Sequence, residues 1–155
     1  MRIKVSTNIS GLQRKLRQVV DGRRKMDYKA VGEYLVERLK NHIDMQDLDW
    51  KPLSPVTIAR KGHDRAWVDT NELYDNITYR IIRDGKAVKV QVGVFDHPTR
   101  TFVAWVLEYG YDGEKGGHPI PERPLFRTTI NMEKDEVERI VWEMSRENIR
   151  ESVRS

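Results

Sequence analysis

The stretch "ITYRIIRDGKAVKVQVGVF", residues 77–95, decides the fold class. Its two arms flank Asp84-Gly85-Lys86, and an Asp-Gly pair adopts the positive backbone angles of a tight hairpin turn at little steric cost. In the second arm Val88, Val90, Val92 and Val94 share one face, opposite Lys89, Gln91, Gly93 and Phe95. That is the two-residue period of a half-buried strand. The pair predicts a small antiparallel sheet, and the helical patterns on either side of it make the expected class α+β.

Upstream the period lengthens. In "NISGLQRKLRQVVDG", Ile9, Leu12, Leu16, Val19 and Val20 fall on one helical face before Gly22. A second helix, starting near Met26 or Asp27, sets Tyr28, Val31, Leu35, Leu39 and Ile43 at three- and four-residue spacing. These N-terminal helices are expected to cover the hairpin, and "RIKVS" before them alternates like a short strand. Between helix and hairpin, "WKPLSPVTIARKG" (50–62) reads as a tryptophan anchor followed by two helical turns. Ser54 caps them, Pro55 suits the first turn and Gly62 ends them. In "TNELYDN", Thr70 is the expected cap, with Glu72 and Leu73 in the first turn.

Downstream, "TFVAWVLEYG" is apolar almost all round and fits a buried helix or a buried strand; Gly110 as a C-terminal stop favours the helix, with Trp105 in the core. Trp50 and Trp67 would anchor the capped loop to the body. "YDGEKGGHPIPERP" has three glycines, three prolines and no periodicity. It is expected to be a loop, mobile alone and ordered by a partner, with Arg123 bonding at its exit because a guanidinium satisfies several acceptors. After Pro124 the chain reads as helical to its end. Val137, Ile140, Val141 and Met144 form the inward stripe of a long C-terminal helix, about residues 133–153. Trp142, Ile149 and Val153 lie roughly 100–160° away from that stripe. Either this face meets a second partner, or a long helix crosses two parts of one core.

A chain of 155 residues, 38% of them hydrophobic, supports one domain over 1–155 with a single moderate core. The C-terminal helix is then a candidate assembly arm. No run approaches the roughly eighteen apolar residues of a membrane span, and "MRIKVSTNIS" lacks a secretory signal, so a soluble, cytosolically made protein is expected. The absence of cysteine rules out disulfides, thiol nucleophiles and thiolate metal sites. Net charge is +4, unevenly placed: residues 1–40 carry eleven Lys or Arg against four Asp or Glu, a local +7, leaving −3 in the remainder. Such a basic front end attracts nucleic acid or an acidic protein face, or is simply a solvated helix surface.

Candidate chemistry is thin. His42, Asp44, Asp47 and Asp49 could gather metal ligands, but their spacing matches neither an EF-hand loop nor a zinc helix. His63, His97 and His118 fall in loops with no partner fixed by spacing. The serines sit at caps, helix surfaces or termini without a positioned base. The glycines of 110–117 follow no strand and precede no Lys-Ser/Thr, so they form no phosphate loop. The expectation is a protein with no catalytic, metal or cofactor residues, and not an enzyme.

The order "WKPLSPVT", "DTNELYDNI", "VQVGVF", "AWVLEYG" and "IPERPLFR" resembles the tail-completion and head–tail joining (neck) proteins of tailed bacteriophages, the virion morphogenesis proteins. In that family a Trp-x-Pro-Leu stretch precedes a short helix with Thr and Lys. A Thr-Gly-x-Leu-like turn and a strand hairpin follow, Glu-x-Gly ends a short helix, and Pro-x-Arg-Pro opens the C-terminal helix. The likeness runs from about Ile3 to Ile130. One departure is Thr70-Asn71-Glu72-Leu73, where the family often has Thr-Gly; asparagine tolerates the backbone such a turn needs.

The resemblance implies a structural virion protein of the neck or tail end, assembled in the host cytoplasm. It would form a homo-oligomeric ring with other neck or tail-tube proteins, without catalytic residues, cofactor or membrane. DNA would pass through the ring without sequence-specific binding. On this reading Trp50 and Leu53 fix the connection to the core, the helix after them faces a neighbour, and Trp50, Leu53, Arg123, Trp142, Ile149 and Val153 are the interface candidates. The residues themselves keep an alternative open, a small basic nucleic-acid-binding protein using Arg23, Arg24 and Lys25. A small nuclease built on the carboxylates of "DMQDLD" (44–49) is a third.

Overall fold

In the computed structural model, which describes residues 22, 26–85 and 87–154, the hairpin forms as its alternation requires. Strand β1 (Ile77–Asp84) pairs antiparallel with β2 (Ala87–Val94), in register from Ile77 opposite Val94 to Asp84 opposite Ala87. Helix α1 (Lys29–Met45) packs against both strands and buries Val31, Leu35, Leu39 and Ile43, the stripe set by their spacing. It begins slightly later than predicted, at Lys29, because the Asp27 carboxylate accepts the Lys29 N–H (3.0 Å) and Tyr28 becomes the cap. Gly32 lets helix and sheet close up: a Cβ there would collide with the Tyr79 ring of β1.

Helix α2 (Pro55–Lys61) has the predicted ends, with Ser54 accepting the Thr57 N–H (3.2 Å) and Gly62 left-handed at φ 79°. Helix α3 (Glu72–Asp75) corrects one expectation. Its cap is Asn71, not Thr70, and Asn71 makes no side-chain capping bond. Asn71 instead holds a left-handed backbone, φ 63°, which asparagine accepts more readily than most residues. Helix α4 (Pro98–Tyr109) settles the ambiguous apolar segment as helix, ending at Gly110.

The loop after α4 is closed by backbone hydrogen bonds. Tyr111 and Ile120 exchange two backbone hydrogen bonds (2.8 and 2.7 Å), and Glu114–Gly116 forms one 3₁₀ turn inside that closure. The C-terminal helical stretch is two helices, α5 (Phe126–Met132) and α6 (Lys134–Arg154). They break at Glu133, whose carboxylate is bonded sideways to Tyr34 and Arg38 of α1. Helices and a two-stranded antiparallel sheet, with a long C-terminal helix, make the fold α+β.

Leu39, Ile43, Trp67, Ile77, Val94, Ala104 and Leu125 are buried in one cluster that joins α1, both strands, α4 and the entry to α5. Each large side chain fully buried there contributes about 1.5–3 kcal/mol against conformational entropy. The opening strand "RIKVS", the first helix up to residue 21, and Arg23, Arg24 and Lys25 lie outside the described residues.

Candidate assembly surface

Three segments distant in sequence meet in one clasp. Arg123 is 3% exposed, and its guanidinium donates to the carbonyls of Lys51 (2.9 Å), Pro52 (2.9 Å) and Pro121 (3.3 Å). Burial lowers its pKa, yet an arginine stays charged and the carbonyl dipoles carry that charge. Trp50 Nε1 donates to the Pro124 carbonyl and Trp67 Nε1 to that of Arg123, both at 2.9 Å. Trp67 holds φ 64°, an uncommon backbone for a bulky residue. Its ring is fixed edge-on to Phe126 (5.7 Å) and tilted against Trp50 (6.4 Å). The tryptophans therefore anchor the 50–67 connection to the body, as their placement suggested. Arg123, an interface candidate from sequence, turns inward instead: each of its three nitrogens donates to a carbonyl of the chain itself.

The clasp is completed by Glu108, which sequence reasoning missed. This buried carboxylate of α4 accepts the N–H groups of Leu125 (2.7 Å), Phe126 (3.0 Å) and Arg127 (3.0 Å). It caps the start of α5 from a different helix, satisfying donors that the helix itself cannot. The signal lay in Ala104 and Glu108, four residues apart and thus on one helical face of α4. Beside the clasp is a groove of about 400 Å³, lined by Leu53, Leu73, Val103, Leu107 and Ile120. The walls include the ion pairs Arg100–Glu72 (2.8 Å) and Arg60–Asp69 (3.8 Å), so four of its charges are already matched.

Of the polar residues around "DMQDLD", several are engaged within the fold. His42 is not at the edge of the core but inside it, 2% exposed, with Nδ1 2.7 Å from the Asp47 carboxylate. Its ring is walled off from any substrate. Asp44 pairs with Arg65 (3.3 Å) and accepts the Tyr74 hydroxyl (2.9 Å), so two carboxylates of "DMQDLD" are engaged. Among the described residues no group of three or more His, Asp or Glu side chains is disposed to hold a metal ion. Nor is any helix there long and apolar enough to cross a membrane. At Glu133, burial would push the carboxyl up, but hydrogen bonds from Tyr34 and Arg38 outweigh it and hold the group below the ordinary value. Burial and the Glu133 bond in turn push the Tyr34 hydroxyl up to about 12.

Among the described residues, the helices α4 and α6 also carry large apolar side chains in water. Trp105, expected in the core, is 54% exposed, and Phe102 and Tyr109 beside it are 63% and 56% exposed. Phe102, Trp105 and Tyr109 are spaced i, i+3, i+7 and so form one stripe. Composition concealed it, because "TFVAWVLEYG" is apolar on its buried side as well. Trp105 and Tyr109 rings lie 5.8 Å apart, and the Arg127 guanidinium stacks over Tyr109 at 5.2 Å. On α6, Val137, Ile140, Val141 and Met144 are half-buried, whereas Trp142 is 60% and Val153 68% exposed, with Ile149 half-buried. The off-axis tryptophan thus faces outward and is not packed into the core. Trp50 and Leu53 are half-buried beneath the groove and clasp, while Val56 of α2 is exposed. Compared with known proteins, the chain matches no family model, no curated protein and no solved structure.

Proposed function

We propose that this chain is a structural assembly protein of the tailed-bacteriophage neck or tail end, working as a subunit of a ring through which DNA passes. The observation that carries this reading is the outward apolar surface, above all Trp142 on α6 and the aromatic stripe on α4. Large aromatic side chains left in water on rigid helices are costly to a monomer and typical of contact surfaces. The stretches that carry the family resemblance also converge in space. Arg123 of "IPERPLFR" grips the carbonyls of "WKPLSPVT", and Glu108 of "AWVLEYG" caps the helix opened by "PLFR". Residues that looked like separate weak motifs thus support one another physically.

The rival reading, a nucleic-acid-binding protein, rests on the basic first forty residues. Sedimentation velocity and negative-stain microscopy of the purified chain, with and without duplex DNA at low and high salt, decide between them. The assembly reading expects ring-sized particles that form without DNA. A persistent monomer whose DNA affinity falls steeply with salt would overturn it, because steep salt dependence marks phosphate binding through released counterions.

A further inference from the structure

We infer that the groove between α2 and α4 receives an acidic peptide segment of a partner protein, one Asp or Glu carboxylate meeting the Lys61 ammonium while flanking aliphatic side chains cover Leu53, Leu73, Val103, Leu107 and Ile120. This rests on the assembly reading only in taking the ligand to be part of a protein. The charge on the groove walls carries the argument. Arg60, Lys61, Arg100 and Arg123 line it together with Asp69 and Glu72, four cations against two carboxylates. Arg100 pairs with Glu72 (2.8 Å) and Arg60 with Asp69 (3.8 Å), which leaves Lys61 and Arg123. Among the described residues neither of these forms a salt bridge: Lys61 donates to the Arg65 carbonyl (2.8 Å) and Arg123 to three carbonyls. Carbonyl dipoles solvate the two cations without cancelling their charge, so the groove keeps a surplus of two positive charges.

Lys61 is half-buried, and burial lowers its pKa; Asp69 opposes the shift, while Arg60 and Arg123 add to it. Arg100 also holds a buried Nε–H that meets no acceptor among the described residues. Unmatched positive charge in such a place attracts an anion more strongly than an exposed lysine does, because water and salt screen it less. Size and floor then select the anion. About 400 Å³ between leucine, valine and isoleucine side chains holds more than a bare carboxylate. The phosphates of a nucleic acid would lose water against that floor and gain no partner there. A carboxylate carried between aliphatic side chains satisfies both wall and floor. The rim favours a chain over a free acid. Ser54, Thr70, Glu72, Thr99 and Pro119 around the groove are exposed, so it stays open where a small-molecule site would enclose most of its ligand. The hydroxyls of Thr70 and Thr99 at that rim suit the backbone groups of a peptide passing across it.

Fluorescence anisotropy of the full chain with labelled, end-capped peptides tests this. Leu-Ile-Glu-Leu-Val should bind, and the isosteric Leu-Ile-Gln-Leu-Val should bind about tenfold or more weakly, because a charge-assisted hydrogen bond is worth at least that in affinity. Lys61→Met keeps the apolar stem, removes the ammonium and should abolish the preference for Glu over Gln, whereas Lys61→Arg should retain it. Val103→Glu, at an exposed position, sets a carboxylate in the groove itself and should block the Glu peptide without depending on how the Lys61 variants fold. Equal affinity for the two peptides, no rise in anisotropy with either, or a preference that survives Lys61→Met overturns the inference. Duplex DNA that binds the parent and not Val103→Glu, while the peptides do not bind, assigns the groove to phosphates and overturns it equally. Sedimentation of the parent is read separately. Rings without peptide binding remove this inference and leave the assembly reading standing. Glu-selective binding by a chain that never assembles supports the groove's ligand and removes the ring.

Discussion

Replacing Glu108 by alanine removes the acceptor for three backbone donors at the entry to α5. Of these, Leu125 is fully buried, so its N–H loses its partner with no route to water. An orphaned buried donor costs about 1–3 kcal/mol. Phe126 and Arg127 are half-buried, and water replaces part of their bonding. The loss there is closer to that of a helix cap, about 1 kcal/mol. The space vacated by the side chain adds a cavity cost of roughly 1 kcal/mol. The whole comes to about 4 kcal/mol, a large share of the ~5–15 kcal/mol that stabilises a typical domain. Glu108→Gln keeps one carbonyl acceptor but turns an NH₂ towards one of the donors, and should cost about half as much. Urea denaturation measures both, and amide exchange at Leu125, Phe126 and Arg127 locates the effect. If the alanine variant loses less than about 1 kcal/mol and those amides exchange no faster, the carboxylate does not hold α5.

Gly32→Ala gains helix propensity of about 1 kcal/mol but drives a methyl group into the Tyr79 ring, so the net effect should be a loss of about 1–3 kcal/mol. Thermal unfolding checks it, and a stabilised variant would mean helix and sheet separate easily. Arg123→Lys keeps the charge but cannot reach three carbonyls in a plane, and should cost about 2 kcal/mol. Tryptophan fluorescence, reporting Trp50 and Trp67 nearby, should show the denaturation midpoint falling; an unchanged midpoint refutes the clasp. Because the folded Glu133 carboxyl lies below its ordinary 4.5, its contribution is whole above that pH and is lost as pH falls through the lower folded value. The parent should therefore lose urea resistance on acidification more steeply than Glu133→Gln. Parallel curves would show that the bonds from Tyr34 and Arg38 do not stabilise the carboxylate.

Much of this protein was legible one segment at a time, where the cause is local. The alternation of Val88 to Val94, the turn at Asp84-Gly85, the stripe from Val31 to Ile43 and the cap at Ser54 each depend on neighbours a few residues away. Period and turn chemistry therefore predicted them. The left-handed backbone tolerated at Asn71 was readable in the same way, although its role as cap was not. The N-terminal pattern from Ile9 to Val20 and the basic Arg23, Arg24 and Lys25 are likewise statements of sequence alone.

Only the tertiary structure decided which apolar surface is buried and which polar group is spent. "TFVAWVLEYG" is apolar on every side, so no period distinguishes core from contact face. Packing of Ala104 and Val106 inward leaves Phe102, Trp105 and Tyr109 in water. Arg123 looked available to a partner, but Lys51 and Pro52, more than seventy residues upstream, take its donors. Nothing near Glu108 in sequence marks it as a cap; only α5 presents it with three N–H groups. Glu133, between α5 and α6, is buried because α1 supplies Tyr34 and Arg38 at its side. In each case the deciding free energy comes from desolvating a group and meeting it with partners from another element, and local sequence contains no record of which element that will be.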